Sequence, residues 1–240
     1  MRLDIKLTEL YDISRQKAQD ALKQGRVFVN GNNVSRNSFE VSETDLIELR
    51  QDSIEFVSRA GHKLEEVLLK HSVDVTGCNC IDIGSSTGGF TDCLLQNGAL
   101  SVTCVDVGTS QLHPKLREDK RVIVMENTNA RNLSVEIFPH LFDLLVMDVS
   151  FISLRLLLEN VASLVKSGGK LFVLFKPQFE VGRKFVSKSG VVTNLKEVEK
   201  SLQDFRKWCR SLDLLIHDCH VSSLTGRKGN QEYVFYLSKK

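Results

Sequence analysis

The 240-residue sequence predicts an α/β fold: a mostly parallel sheet covered by helices, closed by an antiparallel last strand and preceded by a small α+β module. Three observations carry this expectation. Short apolar runs at 80–83, 102–107, 122–125, 141–148 and 171–175 mostly have helical segments between them, the pattern of a parallel sheet with helices on both faces. Two further runs, 214–221 and 232–237, are joined by a loop too short for a crossover helix, so they should pair antiparallel. The first fifty residues carry a helix and hairpin pattern of their own.

In that opening module Ser14 is placed to cap a short helix. Ala18, Ala21 and Leu22 share one helix face, and Gly25 can close its end. Residues 26–34 then read as strand, Asn30-Gly31 turn and strand, a strong hairpin signal. Residues 45–49 alternate as a further strand. Between 14 and 36, Arg15, Lys17, Lys23, Arg26 and Arg36 face a single acid, Asp20. The expected division is a module over 1–50, a polar linker over 51–60 and a second domain over 61–240.

The second domain should open with a helix over 61–70, whose Leu64, Val67 and Leu68 keep helical spacing. Lys63 falls in its first turn, where the helix dipole prefers acids. After the strand at 80–83 come Gly84, Ser85, Ser86, Thr87, Gly88 and Gly89, then a helical stretch from Phe90. Such a turn lets backbone N–H groups and a helix N-terminus approach a ligand closely. Asp106 ends the following strand, where nucleotide-binding folds hold ribose hydroxyls. The order Asp-x-Gly-x-x-x-Gly-Gly is neither a dinucleotide fingerprint nor a P-loop. A plain strand-to-helix turn would use the same glycines. Further helices are expected at 153–165, ended by Gly168-Gly169, and at 195–212.

Hydrophobic residues make up 42% and charged residues 26%, ordinary for a globular chain with a sizeable core. No run reaches the ~18 apolar residues of a membrane span. The charged start, Met1-Arg-Leu-Asp-Ile-Lys6, does not read as a signal peptide. Cysteines at 78, 80, 93, 104, 209 and 219 form no Cys-x-x-Cys pair. They read as free thiols of a reduced, cytoplasmic protein, and no metal site is expected. Net charge is +2, yet residues 166–240 hold 15 Lys and Arg against 7 Asp and Glu. A polyanion contacted at one side fits that imbalance, and so does a solvated basic surface.

In open α/β sheets the site lies at the carboxyl ends of the parallel strands. Asp148 and Lys176 stand at two such ends. Glu232 opens the reversed last strand and so faces the same edge, and Lys63 can reach it from its helix. Four ordinary strand-end salt-bridge residues would look alike. The set nonetheless resembles the Lys-Asp-Lys-Glu tetrad of ribose 2′-O-methyltransferases. A ribose hydroxyl is a poor nucleophile, so a base must take its proton as the methyl group arrives. The resemblance implies Lys176 as that base, Lys63 as a nearby cation that helps hold the hydroxyl, and Asp148 and Glu232 as their orienting partners. Asn/Asp-Pro-Pro-Tyr/Phe, used on exocyclic amines, and a Pro-Cys nucleophile are both absent.

Ser14-Arg-x-Lys-Ala18 followed by Gly25-Arg-Val-x-Val-Asn-Gly31 resembles the αL RNA-binding motif. Nearly end to end, the chain resembles the haemolysin-A-like (TlyA) rRNA 2′-O-methyltransferase family, which joins an αL domain to a Rossmann-like class I methyltransferase domain of the FtsJ/RrmJ type. The motifs that carry this are Val57-Ser-Arg-Ala-Gly-His-Lys-Leu64, Asp82-Ile-Gly-Ser-Ser-Thr-Gly-Gly-Phe-Thr-Asp92, Val105-Asp-Val-Gly-Thr-Ser-Gln-Leu112, Asp148-Val-Ser-Phe-Ile-Ser-Leu154, Phe175-Lys-Pro-Gln-Phe-Glu180 and Gly229-Asn-Gln-Glu-Tyr233. The resemblance implies S-adenosylmethionine as cofactor, held by Asp82, Gly84, Ser85, Ser86, Thr87, Gly88, Gly89, Phe90, Asp106, Val107, Asn127 and Asp148. It implies ribosomal RNA or a ribosomal subunit as partner, with a cytidine 2′-hydroxyl of large-subunit RNA as the acceptor. RNA phosphates would be met by Arg15, Lys17, Lys23, Arg26, Arg36, Arg59, Arg183, Lys184, Lys188, Arg227 and Lys228. Ala60 and Ser110 replace usual glycines, and residues 190–194 depart from the family pattern. Two rivals are a non-catalytic RNA-binding assembly factor and a membrane-lytic protein. The intact tetrad speaks against the first. The lack of a long apolar or strongly amphipathic segment speaks against the second.

Overall fold

The computed structural model describes residues 1–23, 25–49, 56–226 and 228–240. The chain divides into two compact units, Met1–Glu55 and Phe56–Lys240. Half of the expected linker, 51–55, lies outside the described residues.

In the first unit, α1 (Leu3–Tyr11) and α2 (Arg15–Lys23) cover a small antiparallel sheet of β1 (Val27–Val29), β2 (Asn32–Asn33) and β3 (Ile47–Leu49), ordered β2-β1-β3. Ser14 Oγ accepts from the Lys17 N–H at 3.3 Å, the expected cap. Asn30 and Gly31 have φ of 51° and 79°, the pair of positive values a type I′ hairpin needs. Helix α1 was not anticipated. Only Leu3 and Leu7 give it a fully buried apolar stripe, too short to register as a period. Tertiary contacts hold it instead. The Tyr11 hydroxyl donates to Ile47 O at 2.9 Å and accepts from the Leu49 N–H at 3.0 Å, pinning α1 to β3.

At the other end of α1, Asp4 is fully buried. It accepts from Arg2 Nε and Nη2 at 3.0 Å each, from Arg15 Nε at 3.1 Å and from Gln19 Nε2 at 3.2 Å. Burial alone would push this carboxyl up. The hydrogen bonds from Arg2, Gln19 and Arg15 outweigh it and bring the value down to about 2.

The second unit is a seven-stranded sheet ordered β6-β5-β4-β7-β8-β10-β9. Helix α3 (Ala60–Lys70) precedes β4 (Asn79–Ile83), followed by α4 (Gly89–Gln96), β5 (Ser101–Val105), α5 (Pro114–Arg117), β6 (Val122–Met125), β7 (Phe142–Met147), α6 (Leu158–Ala162), β8 (Val165–Phe175), α7 (Pro177–Glu180), α8 (Leu195–Ser211), β9 (Leu214–Val221) and β10 (Tyr233–Lys239). Pairs β4–β5, β5–β6, β4–β7 and β7–β8 are parallel, while β10 lies antiparallel between β8 and β9. Strand order reverses at β4, which opens a crevice at the carboxyl ends of β4 and β7. The interior is apolar. Helix α8 buries Val198, Leu202, Phe205 and Cys209, and Phe205 meets Phe235 of β10 edge-on at 4.8 Å. Among the described residues no helix is long and apolar enough to cross a membrane.

One stretch departs from expectation. The helix foreseen over 153–165 is a 3₁₀ turn, Leu154–Leu156, then the short α6. Val165 already belongs to β8, and Gly168-Gly169 lie inside that strand rather than ending a helix. Register with β7 jumps from Phe142↔Val165 to Leu144↔Lys170. Gly168, at φ 75°, supplies the left-handed residue such a bulge uses. Two glycines mark a helix end or a strand bulge equally well, and only the pairing partner decides.

Because folding holds Asp4 below its ordinary value of 3.8, its contribution to stability is complete above that pH and is lost as pH falls towards about 2. The contribution is about 2 kcal/mol. Amide hydrogen exchange of α1 and α2 checks it: protection should fade between about pH 5 and pH 2 in the wild type, and Asp4→Asn should be weaker at neutral pH and show no such acid step.

Candidate active site

Strand β4 delivers the glycine loop to the crevice. Gly84 turns at φ 80°, and its N–H donates to Val105 O at 2.8 Å. A Cβ here would stand 2.6 Å from Asp148 O, so glycine permits the loops after β4 and β7 to touch. Gly88, at φ 94°, is the left-handed N-cap of α4. A Cβ on Gly89 would lie 2.2 Å from Ser58 Oγ. The segment before α3 therefore packs on this loop, and the Val57 N–H donates to buried Asp92 at 2.8 Å.

Asp82 is buried. One oxygen accepts from Thr91 Oγ1 at 2.7 Å and from the Thr91 N–H at 3.1 Å, which ties β4 to the start of α4. Burial pushes this carboxyl up to about 7, the neighbouring Asp148 and Asp106 add to the rise, and the Thr91 bonds oppose it. Its other oxygen, Oδ1, is buried without a hydrogen-bond partner. Asp106 accepts from the Ser86 N–H at 2.8 Å and the Gly108 N–H at 2.7 Å.

These residues border a cleft of about 1000 Å³, at the top of the size range of small-molecule sites. All four tetrad residues line it. They form two ion pairs. Lys63 and Glu232 are both buried and bond directly to each other. Gly226 backs that pair, since a Cβ there would lie 2.5 Å from Glu232 Oε1. Lys176 Nζ stands 2.5 Å from Asp148 Oδ1 and donates to Ser150 Oγ at 2.9 Å. Glu232 sits just ahead of β10, as expected from the reversed strand.

Of the other residues singled out from sequence, Asp82, Gly84, Ser85, Ser86, Thr87, Gly89, Phe90, Asp106, Val107, Arg59 and Lys228 also line the cleft. Gly88 shapes the loop from behind. Asn127 does not reach the cleft. It is an exposed turn residue at φ 51° whose N–H donates to Gly108 O, and its neighbours 128–131 line the wall instead. A left-handed asparagine makes the turn, and the next residues face inward. Arg183, Lys184 and Lys188 are exposed beside the cleft-lining Val186 and Gly190 without lining it themselves. Arg227 lies outside the described residues. Arg15, Lys17, Lys23 and Arg36 are exposed and Arg26 half-buried on the first unit. Arg15 is partly engaged by Asp4.

Several cleft residues were not foreseen. Phe151 is 91% exposed, has φ 65° and packs its ring 5.3 Å from that of Phe179. A large side chain in the left-handed region is strained backbone. Gln178 borders the cleft with Oε1 buried and unpartnered. Asn230, itself buried, donates to Gly190 O at 2.8 Å and accepts from the Val192 N–H at 2.9 Å, joining the 187–192 and 222–231 loops. The motifs around Asp148, Lys176 and Glu232 contained these residues, but pattern alone assigned them nothing. Among the described residues no cluster of three His, Cys, Asp or Glu could hold a metal.

Comparison with known proteins agrees with this arrangement. Residues 56–239 match the FtsJ-like methyltransferase family and residues 1–47 the S4 domain. The chain is 38% identical over 258 residues to the 23S rRNA (cytidine-2′-O)-methyltransferase TlyA of Campylobacter jejuni, covering 100% of both chains. It is 40% identical to Hemolysin A of Brachyspira hyodysenteriae, covering 99% of each. A solved structure from Streptococcus thermophilus, named as a hemolysin, is 35% identical with a TM-score of 0.76, covering 100% of this chain and 88% of that one. The chain therefore belongs to the TlyA/hemolysin A family, an S4 domain joined to an FtsJ-like methyltransferase domain.

Proposed function

We propose that this chain methylates the ribose 2′-hydroxyl of a cytidine in ribosomal RNA, with S-adenosylmethionine as methyl donor. The observation that carries this reading is the convergence of two Lys–carboxylate pairs, Lys63–Glu232 and Lys176–Asp148, on the cleft bordered by the glycine loop.

The residues present fit the donor. Asp82 Oδ1 and Gln178 Oε1 are buried acceptors without partners, suited to a ligand's amino or hydroxyl group. Asp106, at the end of β5, would accept hydrogen bonds from the ribose hydroxyls. The glycine loop would let backbone approach the ligand, and Thr128 and Asn129, which line the cleft, would flank the base. S-adenosylmethionine, when bound, supplies an electrophilic methyl group on a sulfonium centre.

The chain's own groups act on the acceptor. Asp148 and Ser150 hold Lys176 Nζ at the cleft, and once Lys176 has given up its own proton its free amine takes that of the ribose hydroxyl. Lys63, fixed by Glu232, donates a hydrogen bond that keeps the hydroxyl oxygen in place. Phe151 offers an exposed ring at the mouth on which a nucleobase can stack, the usual way a protein seizes an unpaired base. Arg183, Lys184, Lys188, Lys228 and the basic residues of the S4 module grip phosphates, which adds affinity without reading sequence. The 23S substrate named for the Campylobacter relative makes large-subunit RNA the target of this reading.

Transfer of labelled methyl from S-adenosylmethionine to large subunits, small subunits and naked rRNA tests it. Wild type should label a cytidine 2′-oxygen, and Lys176→Ala should lower the rate by about 10²- to 10⁴-fold while S-adenosylmethionine affinity holds in calorimetry. Tight RNA binding without transfer to any of these substrates would sink the reading. In a separate titration, neutralising Arg183, Lys184, Lys188 and Lys228 should flatten the salt dependence of RNA binding, by about 0.7 in log–log slope for each phosphate no longer neutralised. An unchanged slope would remove those loops from the RNA interface.

A further inference from the structure

The loop after β7 is held at both of its ends by one short segment after β8. Lys176 N-caps α7, and Glu180 is that helix's last residue. At the near end, Lys176 meets Asp148 and Ser150 at 2.5 and 2.9 Å. At the far end, Glu180 accepts from Ser153 Oγ and from the Leu154 N–H, both at 2.7 Å. Between the two anchor points lies Phe151, at φ 65° and 91% exposed. A strained backbone of this kind persists only where its surroundings over-determine it. A ring so exposed gains little from packing, so contact with Phe179 alone does not account for it.

We propose that Glu180 is a positioning residue for RNA: by holding Ser153 and Leu154 it keeps Phe151 in its left-handed conformation, with the ring at the mouth of the cleft. The inference rests on the reading of this cleft as an RNA methyl-transfer site. It adds a residue that touches neither the methyl donor nor the reacting hydroxyl. Released from Glu180, the loop relaxes to ordinary backbone and the ring leaves the mouth. The lysine end of the brace stays in place, so the chemical step is spared.

The test is a double-mutant cycle on methyl transfer to the RNA substrate, with Glu180→Ala, Phe151→Ala and the pair combined. Each single change should raise KM for RNA by about tenfold, the order of one base–aromatic stack, with kcat at saturating RNA and S-adenosylmethionine affinity near wild type. The double variant should be no worse than Phe151→Ala, because Glu180 acts through Phe151. Glu180→Gln, which keeps an acceptor for the Leu154 N–H, should restore most of the loss. Ser153→Ala, which removes one of the two bonds, should fall between and serves in the cycle if Glu180→Ala does not fold. Losses that multiply in the double variant, or a fall in kcat or donor affinity with KM unmoved, would overturn the proposal. Failure of the wild-type chain to methylate any RNA would sink the functional reading instead. The same cycle is then read in RNA affinity, where multiplying losses again overturn the brace.

Discussion

A lysine taken out of water needs a carboxylate beside it, and this chain buries Lys63 with Glu232, 169 residues further along. That pairing constrains the whole second unit. Helix α3 must bring its first turn to the carboxyl edge of the sheet, and the final strand must begin at that edge. A parallel β10 would carry Glu232 to the opposite rim. The antiparallel insertion of β10 between β8 and β9 and the buried pair are thus one requirement seen twice. Removing either partner strands the other charge, at a cost of about 3–5 kcal/mol. Lys176–Asp148 repeats the device on neighbouring strands with more water nearby. Its side chains are 11% and 20% exposed, against 10% and 4% for the Lys63–Glu232 pair.

Around these pairs the rim is shaped by polar side chains that each hold backbone of a loop. Glu126 accepts from the N–H groups of Ser110 and Gln111 at 2.9 and 3.0 Å, and more weakly from Leu112. Asn160 donates to the carbonyls of Ala130, Arg131 and Leu133. Glu180 holds 153–154, and Asn230 holds 190–192. Loops need such partners because their backbone groups have no ladder to satisfy them. Within this well-satisfied frame, the orphaned oxygens of Asp82 and Gln178 and the strained Phe151 gather at one cleft. Rule-breaking concentrated where a ligand would sit is what a site paid for elsewhere in the fold should look like.

Much of this was legible from sequence because the signals were local. Apolar runs, the Asn30-Gly31 turn and the glycines after β4 each announce their own geometry. The tetrad became legible once the sheet edge was inferred, and Lys63, oddly placed in a first helical turn, finds its explanation in Glu232. What stayed hidden depends on partners distant in sequence. Helix α1 is held by Tyr11 and Asp4 contacts rather than by periodicity. Gly168-Gly169 is a bulge because β7 lies alongside. Asn127 sits in the expected turn, and its successors 128–131 rather than Asn127 itself line the cleft. Glu180 and Asn230 stood in their motifs with no role assigned, because their work is done on backbone that only the folded chain brings near.

Charge obeys the same logic. The basic excess of residues 166–240 suggested a polyanion, yet a net count does not locate one. Lys166 is paired with Asp143, Lys176 with Asp148 and Lys240 with Asp213, while Lys239 donates to Ser163 and Val165 carbonyls. Those cations are used within the fold, and pairs of this kind at the surface contribute little long-range field. Exposed Lys196, Lys200, Lys207 and Arg210 follow the solvent side of α8, opposite its buried stripe. Of the remaining cations in this stretch, Lys228 lines the cleft, on one of the two loops that Asn230 joins, where its stem lies against Gly190. Because Glu232 follows Asn230 by two residues, phosphates bound by these loops, as proposed, would be held at a fixed offset from the Lys63–Glu232 pair. Electrostatic grip and catalytic geometry then share one support, and a weakened staple should cost both.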